Sequence, residues 1–303
     1  MKKNNTIIVT GACGHIGSSL IRKLNQNDII AVDNMLTQRY CSLFNLDRSI
    51  KFYENNFLDI DIPQGSIVIH LAAITDAASS MKNSTQIEEI NIEQTKKFID
   101  KCIESKVEKF IFPSSTSVYG VAADLVNEDD SQYLNPQSPY AQSKIEIENY
   151  LESKKDKLNY LVLRFGTIFG TSPGMRFHTA INKFCYQSAL NLPITVWKEN
   201  YNQVRPYLGL NDCINSIKHF IDLDLNYYNT RYNVLTGNYK LSDIVEIIKK
   251  QVSNLKVNMV DTPLLNQYSY NVDDSKAKST GLICSDDLEK EITITLNQLK
   301  NLS

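Results

Sequence analysis

No apolar run in this chain approaches the ~18 residues that a membrane-spanning helix needs. The run nearest the start, Ile7–Val9, is also too short for the core of a secretion signal. Cytoplasmic residence with no membrane partner is therefore the expectation. Charge of one sign is not in excess, because 32 lysines and arginines face 34 aspartates and glutamates. Nucleic-acid binders usually carry a basic surplus, so nucleic acid is not an expected partner. The six cysteines (Cys13, Cys41, Cys102, Cys185, Cys213, Cys284) are scattered and form no C-x-x-C pair. They read as reduced thiols. The four histidines, His15, His70, His178 and His219, are equally dispersed, which argues against a metal site.

What is present is a long alternation of apolar segments. Apolar residues make up 42% of 303, enough for a large core. Thr6–Thr10, Asp28–Asp33, Ser66–Ala73, Lys109–Ser115 and Tyr160–Phe169 read as strands. Ser66–Ala73 is apolar throughout its centre, as a strand buried on both faces would be. Ile16–Leu24, Ile90–Ile103 and Ser143–Leu151 read as helices between them. This rhythm predicts an α/β fold, a Rossmann-type doubly wound parallel sheet. After about Gly170 the pattern is irregular, with helices expected at Ala180–Leu190, Asn211–Leu223 and Leu241–Val252 and short strands at Ile194–Trp197 and Tyr232–Leu235. Residues 1–170 are therefore expected to form a dinucleotide-binding domain. Residues 171–303 are expected to form a smaller α/β substrate domain, with some segments returning to the first.

The turn Gly11-Ala12-Cys13-Gly14-His15-Ile16-Gly17 joins the first strand to the first helix. Gly11 suits a tight turn, Gly14 a close backbone approach to a pyrophosphate, and Gly17 close packing of helix on strand. The helix N-terminus then offers N–H groups and a positive dipole end to phosphates. Asp33 closes the second strand, where a carboxylate accepts from the ribose hydroxyls and repels a 2′-phosphate. NAD is thus the expected cofactor. The plainer alternative is a structural turn followed by a helix cap.

Tyr140 and Lys144 stand four apart and share a helix face. A tyrosine of pKa about 10 is a poor base at neutral pH. A nearby ammonium favours its phenolate, and so does the positive charge of an oxidised nicotinamide. Tyr140 could then take a hydroxyl proton while hydride leaves the same carbon. Ser115 follows a buried strand, where an open α/β sheet places its ligands, and could hydrogen-bond that hydroxyl.

With these residues in view, the chain resembles the extended short-chain dehydrogenase/reductase family, the NAD-dependent nucleotide-sugar epimerases and dehydratases. TGACGHIG, Asp33-Asn34, Phe57-Leu58-Asp59, HLAA at His70–Ala73, Asn91, SSTSVYG, PYAQSK, LRFGTIFG, VRPYLGLND and YNVLTG follow the family's order from Ile7 to about Leu282. The resemblance implies a catalytic triad of Ser115, Tyr140 and Lys144. It implies a cofactor site of Gly11, Gly14, His15, Ile16, Gly17, Asp33, Asn34, Leu58, Asp59, Leu71, Ala72 and Ala73, joined by Tyr140 and Lys144. Arg205 falls at the arginine that grips the substrate diphosphate, a role suited to a forked guanidinium. Its plainer alternative is a surface ion pair. Thr75, Ser115, Thr116 and Thr167 are further substrate candidates. Arg176 and His178 could meet a phosphate or sugar hydroxyl, or be ordinary loop residues. A homodimer across helices at about Glu89–Glu104 and Ser138–Leu151 is also implied.

Family dehydratases carry an Asp and a Glu directly after the catalytic serine or threonine, where this chain has Thr116 and Ser117. Those hydroxyls cannot serve as acid and base near neutral pH, which disfavours a 4,6-dehydratase. The branch with a cysteine two residues after the serine is disfavoured by Ser117. What remains is redox chemistry at carbon 4 of a nucleotide-diphosphate sugar, as a 4-epimerase or a 4-dehydrogenase. The UDP-galactose 4-epimerase lysine is replaced by Thr75, and the usual asparagine by Thr167. A non-catalytic NAD-binding protein on the same fold is the reading from another class.

Overall fold

The computed structural model describes residues 5–24, 28–75, 84–120, 125–261 and 270–299. Its strands are β1 Ile7–Thr10, β2 Ile29–Asp33, β3 Lys51–Glu54, β4 Ile67–His70, β5 Lys109–Ser115, β6 Tyr160–Phe165, β7 Thr167–Phe169, β8 Ile194–Trp197, β9 Val204–Gly209, β10 Thr230–Val234, β11 Gly237–Lys240 and β12 Val257–Val260. Seven form one parallel sheet in the order β10-β6-β5-β4-β1-β2-β3.

Side chains alternate across this sheet because the strand period is two. Ile7, Val9, Ile29, Ala31, Leu161 and Leu163 enter the core on one face. Ile8, Ile30, Val32, Phe110, Phe112 and Val162 enter the core on the other. Both faces are covered, so the strands read as unbroken apolar runs. Each fully buried Ile or Leu contributes about 1.5–3 kcal/mol.

The strand order reverses between β1 and β4. From there the chain builds outward through β2 and β3 on one side and β5 and β6 on the other. Such a switch point leaves a crevice at the carboxyl ends of the strands. The dinucleotide turn after β1 and the segment after β4 meet there.

The second layer is a three-stranded sheet, β11-β9-β7, and a pair, β12-β8. Helices Ala180–Ala189, Leu241–Gln251 and Leu288–Leu299 enclose a separate core with Ile181, Phe184, Ile244, Ile248 and Ile292. The chain does return to the large sheet. β10 pairs with β6, and helix Leu210–Asp222 buries Ile214 and Ile217 in the same core as Leu20 and Ile21 of α1, His15–Lys23.

Several expected elements change shape. The strand expected over Tyr160–Phe169 is two strands in two sheets, broken at Gly166. The helix expected at Ile90–Ile103 spans 84–104 and contains a π-helical stretch, Glu88–Gln94. The helix expected at Ser143–Leu151 begins earlier, at Pro139, capped by Ser138 Oγ accepting from Ala141 N. β3 was not expected: it is an exposed edge strand with little apolar pattern. β9 was missed because Pro206 interrupts its pattern, although the strand pairs on both sides.

Candidate active site

Two adjoining cavities open along the crevice. The larger is about 890 Å³ and the smaller about 360 Å³. The larger runs from Gly11, Gly14, His15, Ile16 and Gly17 past Ser115, Tyr140 and Lys144 to Thr167 and Arg205. The smaller holds Asp33, Asn34, Arg39, Asn55, Phe57 and Ala72.

The turn that joins them is built for a backbone approach. Gly11 has φ 67°, and a Cβ there would lie 2.7 Å from Ala72 N. α1 begins without a capping side chain and with no acidic residue in its first turn. Its first amides therefore stay available to a phosphate. Asp33 does more than the sequence suggested. Its Oδ2 accepts from Cys13 N at 2.9 Å and its Oδ1 from Met35 N at 2.9 Å. The carboxylate thus shapes the glycine turn while facing the smaller cavity.

Asn91, inside the π-helical stretch, holds the segment after β4. It accepts from Ile74 N at 2.8 Å and donates to Ile74 O at 2.9 Å. That places Leu71, Ala73 and Thr75 on both cavities. π-helical turns recur at functional sites, and here the turn aims a buried amide at the cavity wall.

Ser115 ends β5, and Tyr140 and Lys144 occupy the first turns of helix Pro139–Ser153. Lys144 Nζ donates to Pro113 O at 2.8 Å and lies 5.7 Å from the Tyr140 ring centre. Burial brings the Lys144 ammonium down to about 8, against the opposing pull of the Glu148 carboxylate. Burial pushes the Tyr140 phenol up to about 12, while the Arg176 charge and a hydrogen bond with Ser115 act the other way. Arg176 thus joins Lys144 as a cation close to Tyr140.

Beneath the triad lies a buried ionic network. Arg164 Nη2 reaches Glu148 Oε2 at 2.6 Å with side-chain exposures of 0% and 3%. Arg164 Nη1 donates to Tyr119 Oη at 2.8 Å, and Tyr119 Oη donates to Asn233 Oδ1 at 2.9 Å. Ser114 Oγ donates to the same Glu148 carboxylate. Local sequence carried no sign of this network, whose members come from five separate segments.

Other candidates sort clearly. Arg205 stacks over the Tyr270 ring at 5.3 Å, and its Nη2 is buried without a hydrogen-bond partner at the cavity wall. It is therefore not a surface ion pair. Thr116 turns inward, donating to Phe165 O at 3.2 Å, and does not line the cavity, whereas Ser117 does. Leu58 and Asp59 also lie off the lining. In this region Asn55 and the largely buried Phe57 line the smaller cavity. His70 is a core residue, bonded by Thr10 and Thr95 and held down to about 3 by burial. Among the described residues no group of histidines, cysteines and carboxylates could hold a metal. No described helix is long and apolar enough to cross a membrane.

Buried polar atoms without a partner gather on the cavity walls: His15 Nε2, Arg39 Nη1, Thr75 Oγ1, Ser117 Oγ, Gln203 Oε1 and Arg205 Nη2. Such atoms are costly unless a ligand completes them. Together with the glycine cradle they fit a dinucleotide.

The family model for the NAD dependent epimerase/dehydratase family matches residues 7–234. A putative UDP-glucose 4-epimerase of Methanocaldococcus jannaschii is 26% identical over 97% of this chain and 98% of its own length. A dTDP-D-glucose 4,6-dehydratase of Dictyostelium discoideum is 29% identical over 83% of this chain, which spans 62% of that relative's length. In fold, the chain is similar to a UDP-N-acetylglucosamine 4-epimerase of Methanobrevibacter ruminantium, with a TM-score of 0.88, 24% identity and 100% of both chains covered. The chain belongs to the NAD-dependent epimerase/dehydratase family, and NAD is its cofactor.

Proposed function

We propose that this protein oxidises carbon 4 of a nucleotide-diphosphate sugar and returns the hydride to the opposite face, as a nucleotide-sugar 4-epimerase. The observation that carries the reading is the charge of the larger cavity. Among the described residues lining it there is no aspartate or glutamate, while Lys144, Arg176, Lys183 and Arg205 supply permanent or near-permanent cations. Such a cavity suits an anionic diphosphate substrate. It lacks the carboxylate acid and base that elimination of water would need.

In this reading Tyr140 accepts the proton of the sugar hydroxyl, and Ser115 hydrogen-bonds the same oxygen. Lys144, anchored on Pro113 O, keeps positive charge near the pair. When bound, NAD supplies the hydride acceptor and, oxidised, the positive charge that favours the Tyr140 phenolate. Arg205, its guanidinium over the Tyr270 ring, offers its open Nη2 to the substrate diphosphate. The relative bearing the UDP-glucose 4-epimerase name supports this assignment, and the dehydratase relative marks its competitor. The reading includes a homodimer across helix Pro139–Ser153 and the helix over 84–104.

Incubation with a panel of UDP-, dTDP- and ADP-sugars tests it. The expected product is a carbon-4 epimer with no accumulation of NADH, abolished by Tyr140→Phe. NADH with a released ketone would instead assign a 4-dehydrogenase. A 4-keto-6-deoxy product, or turnover that survives Tyr140→Phe, would overturn the proposal.

A further inference from the structure

A dinucleotide in this crevice must span both cavities, with its diphosphate at their join. The residues that line both cavities include Gly11 and Gly14, as that requires, and also Arg176 and His178. Arg176 is the permanent cation of that set. We infer that Arg176 clamps the diphosphate of NAD at the glycine turn, where the two cavities join.

The loop that carries Arg176 is seated on the glycine turn itself. Gly174 lies so close that a Cβ would stand 2.3 Å from Cys13 O and 2.5 Å from Gly14 O. Gly174 N donates to Ser18 Oγ at 3.0 Å, and His15 Nδ1 meets Ser172 Oγ at 2.7 Å. Both partners belong to α1, whose N-terminus faces the phosphates. Asn182, fully buried, braces the loop at two points. Its Oδ1 accepts from Gly170 N at 3.2 Å and its Nδ2 donates to Arg176 O at 3.1 Å. The Arg176 backbone is therefore fixed before any ligand arrives, which lowers the ordering cost of binding.

The charge of Arg176 is felt on both sides of the join. It opposes protonation of His15, which burial already holds at about 3, and it favours the Tyr140 phenolate. His15 is therefore a neutral neighbour. Arg22 is committed elsewhere, donating to Ser18 O, Ser42 O and Phe44 O. Arg39 lines the smaller cavity beside Asp33, at the ribose end. At the join, beside the positive end of α1, the two negative charges of a diphosphate thus meet Arg176. A forked guanidinium matches phosphate oxygens better than an ammonium does.

This deepens the epimerase reading and rests on its cofactor. An enzyme that returns the same hydride gains nothing from releasing NAD between the half-reactions, and a clamp between the two layers would retain it.

The test is NAD binding without any sugar, so it stands or falls apart from the turnover assay. Calorimetry with the full chain compares the unmodified protein, Arg176→Met and Arg176→Lys, with thermal unfolding to confirm that each folds. Arg176→Met should weaken NAD by about 10- to 100-fold and shed copurified NAD on gel filtration. Adenosine, which lacks the diphosphate, should bind all three alike. Arg176→Lys should recover part of the loss. NAD affinity within twofold of the unmodified chain in folded Arg176→Met would overturn the clamp. So would an equal loss of adenosine affinity.

Discussion

The floor and the rim of the cleft are built on opposite plans. On the floor, β5, β6 and helix Pro139–Ser153 carry polar groups that the protein satisfies internally. Glu148 is shared by Arg164 and Ser114, Lys144 is bonded to Pro113 O, and Asn91 is closed on Ile74. On the rim, His15 Nε2, Arg39 Nη1, Ser117 Oγ, Gln203 Oε1 and Arg205 Nη2 are buried and open. Satisfied networks in a low-dielectric interior are rigid, and breaking one member is expensive. Open donors and acceptors are left to be completed by ligands. Stability and recognition are thus placed in different layers, with Ser115, Tyr140 and Lys144 at their boundary.

The sharpest way to break this comparison is at its floor. Glu148→Gln leaves the buried Arg164 without its counter-charge and should cost about 3–5 kcal/mol of stability, read from urea unfolding of the NAD-free protein. A cost below about 1 kcal/mol, the range of an exposed pair, would remove the distinction between the layers.

Acid should act next, on one buried histidine of each layer. His70 and His15 are held down to about 3 in the folded chain, chiefly by burial. The unfolded chain takes up those protons below about pH 6.5. Their contribution is therefore complete above pH 6.5 and is lost as pH falls toward 3. At pH 5 each should have cost about 2 kcal/mol relative to pH 7.5. Urea midpoints at the two pH values measure this. The gap should narrow in His70→Asn, and an unchanged gap would assign the acid sensitivity to other groups.

The smallest effect should come from the rim. Arg205→Met is expected to raise the KM for a nucleotide sugar about tenfold, with unfolding midpoint and NAD affinity unchanged. A drop in stability of the size expected for Glu148→Gln would show that the rim is structural after all.

Much of the floor was legible in the sequence. β1, β2 and β4 announce themselves because burial on both faces demands continuous apolar residues. Gly11, Asp33 and Ser115 sit at the carboxyl ends of β1, β2 and β5, so their convergence follows from the sheet order, while Tyr140 and Lys144 share a helix face through their spacing of four. Leu58, Asp59 and Thr116 are implied at the site by resemblance; they are not among the residues lining the two cavities, and Thr116 Oγ1 donates to Phe165 O. Arg164 and Glu148 went unnoticed as a pair because they belong to different elements.

The parallel sheet, the glycine turn and the placing of Tyr140 and Lys144 on one helix face are written in the amino-acid sequence. Each is a local pattern, set by the two-residue period of a strand or the four-residue spacing of a helix face. Only the tertiary structure decided that the run after Tyr160 divides between two sheets, that Arg205 lies on Tyr270, and that Gly174 brings Arg176 to the glycine turn. His15 and Ser172 meet across 157 residues. Contacts of that range depend on how the layers pack, and no periodicity in the chain encodes them.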